Sequence, residues 1–86
     1  MAERKTIHQL EAELDDVRIA LGINARGRVF RHIKSGAYYA AVDVGINEAD
    51  MVHMVVYHPL SNSRVRFHRP FTTFTRGYEP VQYSPD

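Results

Sequence analysis

Residues 52–57, Val-His-Met-Val-Val-Tyr, form a run of β-branched, aromatic and sulfur-containing side chains closed off by Pro59. Strands buried on both faces read as near-continuous apolar runs, whereas half-exposed strands alternate. The run therefore predicts the central strand of a small sheet, and the rest of the chain can be placed around it.

Upstream, Ala37 to Val44 (AYYAAVDV) predicts a second strand. Strict alternation would put Tyr38, Ala40, Val42 and Val44 on one face and Tyr39, Ala41 and Asp43 on the other. Gly45 to Asp50 is a polar connection to the central run, with the acids Glu48 and Asp50 in a solvated loop. Before the second strand, Ser35-Gly36 marks a turn. Val29 to Lys34 alternates as a first strand, with Val29, Arg31 and Ile33 opposed to Phe30, His32 and Lys34. Downstream, Pro59 to Ser63 is dense in turn formers. Arg64 to His68 (RVRFH) alternates as a half-exposed strand, with Val65 and Phe67 inward and Arg64, Arg66 and His68 outward. Pro70 suits the first position of a helical turn, so Phe71 to Phe74 predicts a short 3₁₀ segment that drops two rings onto the open end of a barrel. From Gly77 onward the expectation is a short edge strand and then a frayed end.

The N-terminal stretch has a different period. Thr6 with Gln9 forms a capping box, Ile7, Leu10, Leu14, Val17 and Leu21 recur at helical spacing, and Gly22 offers a left-handed C-cap. An isolated helix of this length is marginal in water, so the apolar seam must be covered. Ile19 and Ala12 lie outside the seam. The helix is therefore expected to touch two surfaces, its own β body and a second copy of the chain, with Ile7, Leu10, Leu14, Val17 and Leu21 as the oligomer interface. The alternative is a monomer whose helix lies on its own barrel. The organisation predicted is a helix over 1–24, a β domain over 26–76 and a tail over 77–86, joined through the linker Asn24 to Gly27.

With 86 residues the chain suits one domain with a modest core. The absence of cysteine excludes a disulfide framework, a zinc ribbon and a thiol nucleophile. The charged N-terminus and the lack of a long apolar run predict a soluble, cytoplasmic protein without membrane contact. A net charge of +1 hides an asymmetry. Residues 1–22 carry five acids against three Lys or Arg, whereas residues 26–76 carry eight Lys or Arg against three acids. Either the acidic helix neutralises the basic body, or the basic face is kept for an anionic partner.

The runs FRHIKSGAYYAAV, MVVYHPL and VRFHRPFTTF, in that order, resemble the bacterial family known as domain of unknown function 1653, over residues 28–74. The matching positions include Phe30, Arg31, His32, Gly36, Tyr38, Val42, Val55, Tyr57, Arg69, Pro70 and Phe74. The resemblance implies a compact SH3-like β roll and no particular activity. The chain departs from the family pattern in DVGINEAD, where members carry a polar segment, and in its N-terminal helix.

The chemistry follows from the basic ladder. Arg64, Arg66, His68 and Arg69, with Arg31 and Lys34, are interleaved with Tyr39, Tyr57 and Phe67. Guanidinium forks hold phosphate and rings stack on bases, which is the recipe for a nucleotide or single-stranded nucleic acid. The bland counterpart is an arginine-lined edge that merely stays soluble. Five histidines without HxH, HExxH or CxxC spacing give no metal site, and His53 and His58 fall on opposite faces of one strand. No cofactor and no catalytic residue is assigned, since Asp43, Glu48, Asp50 and His53 lack a pocket and no serine sits on a nucleophile elbow. The reading is a mainly β protein, an SH3-like roll or barrel behind one amphipathic helix. It is expected to be homo-oligomeric and to bind an anionic ligand without transforming it. Arg31, Arg64, Arg66 and Arg69 would hold the anion, and Tyr39 and Tyr57 would stack. The rival is a structural or protein-interaction part, of phage derivation for example, presenting Phe71, Phe74, Tyr78 and Tyr83 to a protein partner.

Overall fold

The computed structural model describes residues 5–82, so Tyr83 lies outside the described residues. In chain order the elements are α1 (Ile7–Leu21), β1 (Arg28–His32), β2 (Tyr38–Asn47), β3 (Val52–Pro59), β4 (Phe67–Pro70), α2 (Phe71–Gly77) and β5 (Tyr78–Pro80). The protein is mainly β. Its strands form one antiparallel sheet in the order β4-β3-β2-β1-β5.

The caps of α1 are those its sequence calls for. Thr6 Oγ1 accepts from the Gln9 N–H at 3.1 Å, and Gln9 Oε1 accepts from the Thr6 N–H at 2.7 Å. Gly22 ends the helix at φ 71°, a conformation open to glycine at little cost. The apolar seam divides in two. Val17 and Leu21 are buried against the sheet with Leu14 packed beside them, whereas Ile7 is 77% exposed. The helix thus docks on its own body through its C-terminal half.

The core is a single cluster of Val17, Leu21, Phe30, Ala41, Val44, Val55, Tyr57, Phe74 and Tyr78. Both helices contribute to it, so both lie on one face of the sheet. For that reason β3 does not read as it packs: Val55 and Tyr57 are buried while Met54, Val56 and His58 are half-buried on the uncovered face. The middle place in the sheet belongs to β2, with β3 beside it.

Several assignments differ from the sequence reading, beginning with β1, which ends at His32 and leaves Ile33 and Lys34 to the turn. In β2 the register shifts between Ala41, paired with Tyr57, and Asp43, paired with Val56, which leaves Val42 as a bulge. Ala41 and Val44 therefore share the core face and Asp43 turns to solvent, against strict alternation. The strand also runs on through Asn47, taking in half of the stretch expected to be loop. The segment 64–66 is not a strand. Asn62 Oδ1 accepts from the Arg64 N–H at 3.0 Å and Asn62 O from the Val65 N–H at 3.4 Å, which folds these amides into a turn. Pairing with β3 begins only at Phe67, opposite Tyr57, so Val65 lies outside the sheet, whereas Phe67 shares the face of Tyr57, and both are exposed. Finally, Phe71 to Gly77 is a full α-helical segment in place of the 3₁₀ turn.

The sheet does not close into a barrel, since β4 and β5 are its two edges. Short α2 joins them directly and packs on β3, β4 and β5. Its Phe74 is fully buried, edge-on to Phe30 at 5.0 Å and stacked on Tyr78 at 4.5 Å. Among the described residues no helix is long and apolar enough to cross a membrane.

Candidate functional site

Antiparallel connectivity brings the β1–β2 turn and the β3–β4 loop to the same end of the sheet, and the Leu60 N–H donates to Tyr38 O at 3.2 Å to tie them together. The α2–β5 junction joins the same end, because the Ile33 N–H donates to Gly77 O at 2.9 Å. Lys34, Arg64, Arg66 and Arg76 lie in these connections, and Arg69 reaches in from β4. Among the described residues none of these five cations is in an ion pair.

A cluster of rings lies at the same end, with Arg69 against it. Tyr57, Tyr39, Tyr78 and Phe67 stand on the core face, with Tyr57 to Tyr78 at 5.2 Å, Tyr39 to Tyr57 at 5.6 Å and Tyr57 to Phe67 at 5.7 Å between centroids. His32 completes the group at 4.9 Å from Tyr78. The Tyr57 hydroxyl is its polar centre, accepting from Arg69 Nε at 3.1 Å and from the Tyr78 hydroxyl at 3.2 Å. The guanidinium of Arg69 sits 5.4 Å from the Tyr78 ring centroid, within cation–π range. The hydrogen bond to Tyr57 raises the pKa of Arg69 further. Burial, and then the bond to Tyr57, push Tyr78 far above its ordinary value, so this hydroxyl stays a neutral donor.

The six residues chosen from sequence do not form one wall. Arg69, Tyr39 and Tyr57 come together as described, and Arg64 and Arg66 stand beside them in the loop, where Arg66 Nε donates to Ser63 O at 3.3 Å. Arg31 is elsewhere. It lies opposite Glu79 and Tyr38, next to buried Phe30, so the pleat turns it to the uncovered face. There Glu79 Oε1 accepts from its Nε at 2.8 Å and its Nη2 at 2.6 Å. Tyr57 is only 4% exposed, and its ring has no free face. The rings with free surface are half-buried Tyr39 and Phe67, the latter 43% exposed. Arg76 and His32 were not singled out from sequence, because only the folding of α2 against the β1–β2 turn brings them to this end.

The acids of α1 lie elsewhere. Arg18 pairs with Asp15 at 2.7 Å and with Asp43 at 3.4 Å, and Glu13 takes both Lys5 and, at 2.9 Å, His53. These contacts hold the helix to β2 and β3 and leave the cationic end uncovered. Of the five predicted interface residues, Leu14, Val17 and Leu21 are engaged by the sheet of the same chain, which leaves Ile7 and Leu10 on the free half. Phe71, Phe74 and Tyr78 pack inward around the core rather than forming an outward patch. Among the described residues no three His, Asp or Glu side chains gather in a metal-binding group. Comparison of the chain with protein-family models, with curated proteins and with solved structures gave no match.

Proposed function

We propose that this protein is a small, non-enzymatic binding module of SH3-like roll type that holds an anionic ligand, a nucleotide or a nucleic acid, at the cationic end of its sheet. The observation that carries the reading is the set of five cations without an ion pair among the described residues, Lys34, Arg64, Arg66, Arg69 and Arg76, at the end of the sheet where Tyr39 and Phe67 keep free surface. Arg64, Arg66 and Arg69 contact phosphate, and Tyr39 and Phe67 supply stacking, in place of Arg31 and Tyr57. The resemblance of residues 28–74 to a family of compact rolls supports the fold type. Ile7 and Leu10 pair the free half of α1 with a second copy, giving a homo-oligomer, and Leu10→Glu is expected to yield a folded monomer by light scattering.

The test is fluorescence anisotropy with a labelled oligothymidine at low and raised salt. Binding is expected to weaken with a log–log slope of about −0.7 per phosphate contact, and Arg64→Glu with Arg66→Glu to lower affinity by about tenfold or more. Absence of binding at low salt, or indifference to both substitutions, discards the reading. A second reading, a protein-interaction part without a small ligand, is favoured by one observation: Ile33, Tyr38, Leu60, Val65 and Phe67 are all exposed around the same end. Arginine beside exposed rings also marks protein interfaces.

A further inference from the structure

A second concavity runs from Arg28, at the start of β1, to Tyr78, which it shares with the ring cluster of the cationic end. Leu21, Phe30 and Tyr78, all buried, form its floor, Ile19 and Thr75 form facing walls from α1 and α2, and Arg28 stands at the rim. Its volume is about 370 Å³, the size of a site for a small organic molecule.

Two opposite charges meet at its mouth. Arg28 forms no ion pair among the described residues. Its guanidinium lies against the end of α1, since a Cβ on Gly22 would collide with Arg28 Nη1. The helix end supplies the negative counterpart. The N–H groups of Gly22 and Ile23 turn back to Ile19 O at 3.1 Å and Arg18 O at 3.0 Å. Among the described residues no main-chain N–H beyond the helix reaches the carbonyls of Ala20 and Leu21, two further lining residues that carry the negative end of the helix dipole. A simple carboxylate would be drawn to Arg28 and repelled by these carbonyls, and a simple amine the reverse. A zwitterion satisfies both. The apolar floor then selects what lies between the charges, and Ile19, 77% exposed on the side of α1 away from its seam, gains a partner.

We infer that the cleft binds a free α-amino acid with an aromatic or large apolar side chain. The carboxylate pairs with Arg28, the ammonium donates to the carbonyls of Ala20 and Leu21, and the side chain lies against the exposed Ile19 and Thr75. The site borders the cationic end at Tyr78 but does not depend on the ligand proposed there.

The test is a ¹H–¹⁵N titration of the full chain with L-phenylalanine, beside 3-phenylpropionate, which lacks the ammonium, and phenethylamine, which lacks the carboxylate. Saturable shifts are expected at Ile19, Ala20, Gly22 and Thr75, with a Kd on the order of 1 mM. Each truncated analogue is expected to bind about tenfold more weakly, and Arg28→Gln to weaken L-phenylalanine by about the same factor while oligothymidine binding is unchanged. If Arg28→Gln fails to fold, the analogue series on the unaltered chain decides. Shifts that do not saturate, shifts confined to Tyr39 and Phe67, or a truncated analogue that binds as tightly as the zwitterion overturn the assignment.

Discussion

The two ends of the sheet treat charge in opposite ways. Where α1 crosses β2 and β3, Arg18 bridges Asp15 and Asp43, and Lys5 and His53 converge on Glu13. At the loop end Lys34, Arg64, Arg66, Arg69 and Arg76 have no carboxylate partner among the described residues, whereas Arg31 on the uncovered face is matched by Glu79. The difference follows from what covers each end. A helix that must be held at a fixed angle uses complementary charges around its apolar contact, whereas loops closed by their own asparagine and serine need none. The paired charges around α1 are thus structural, Arg28 at its end excepted, and the charge at the loop end is free for a partner.

Four substitutions probe this division. Phe74→Ala removes the ring that both ends share. It is expected to cost about 3–5 kcal/mol in urea unfolding and to abolish function at either end, because the cavity opens between Phe30, Tyr57 and Tyr78. Leu21→Ala acts on the helical end alone. A loss of about 2–4 kcal/mol with oligonucleotide affinity retained in the folded fraction would sharpen the division, and a parallel loss of affinity would break it. Tyr57→Phe is confined to the loop end. It leaves Tyr78 without its buried acceptor and Arg69 without its tether, for an expected cost of about 1–2 kcal/mol, with the Arg69-dependent part of ligand affinity reduced.

The smallest effect is one of pH. Hydrogen bonds from Lys5 first and then His53 hold the Glu13 carboxyl below its ordinary value of 4.5. A depressed folded pKa contributes stability that is present above the unfolded pKa and is lost as pH falls through the folded one. Stability measured by urea titration is therefore expected to decline on acidification below that ordinary value, and Glu13→Gln to flatten this decline while leaving the loop end unaltered. An unchanged acid limb in Glu13→Gln would show that the contact does not help to hold α1.

Much of the fold could be read from residues because it is locally specified. The Thr6–Gln9 box and Gly22 define α1 by contacts within four residues, and the sheet-forming runs announce themselves by composition. Face assignments were less accessible. The bulge at Val42 depends on pairing with β3, and nothing in AYYAAVDV marks it, so Asp43 and Val44 were placed on the wrong sides. The turn at Asn62 is hidden by the clean alternation of RVRFH, since one residue whose side-chain and main-chain oxygens each capture an amide overrides a favourable pattern. For the site, Arg64, Arg66 and Arg69 could be found from charge and aromatic interleaving. The opposite placement of Arg31 follows from register, and the arrival of Arg76 follows from the path of α2, neither of which composition encodes.

That path has a mechanical side. The margins of the sheet are brief, four residues in β4 and three in β5, and one seven-residue helix is spliced between them. A sheet margin offers unpaired N–H and C=O groups to any passing extended chain, and brevity limits the offer. Because α2 is anchored by a single buried ring, its release would slacken both margins in one event and turn the folded chain into a template for strand addition.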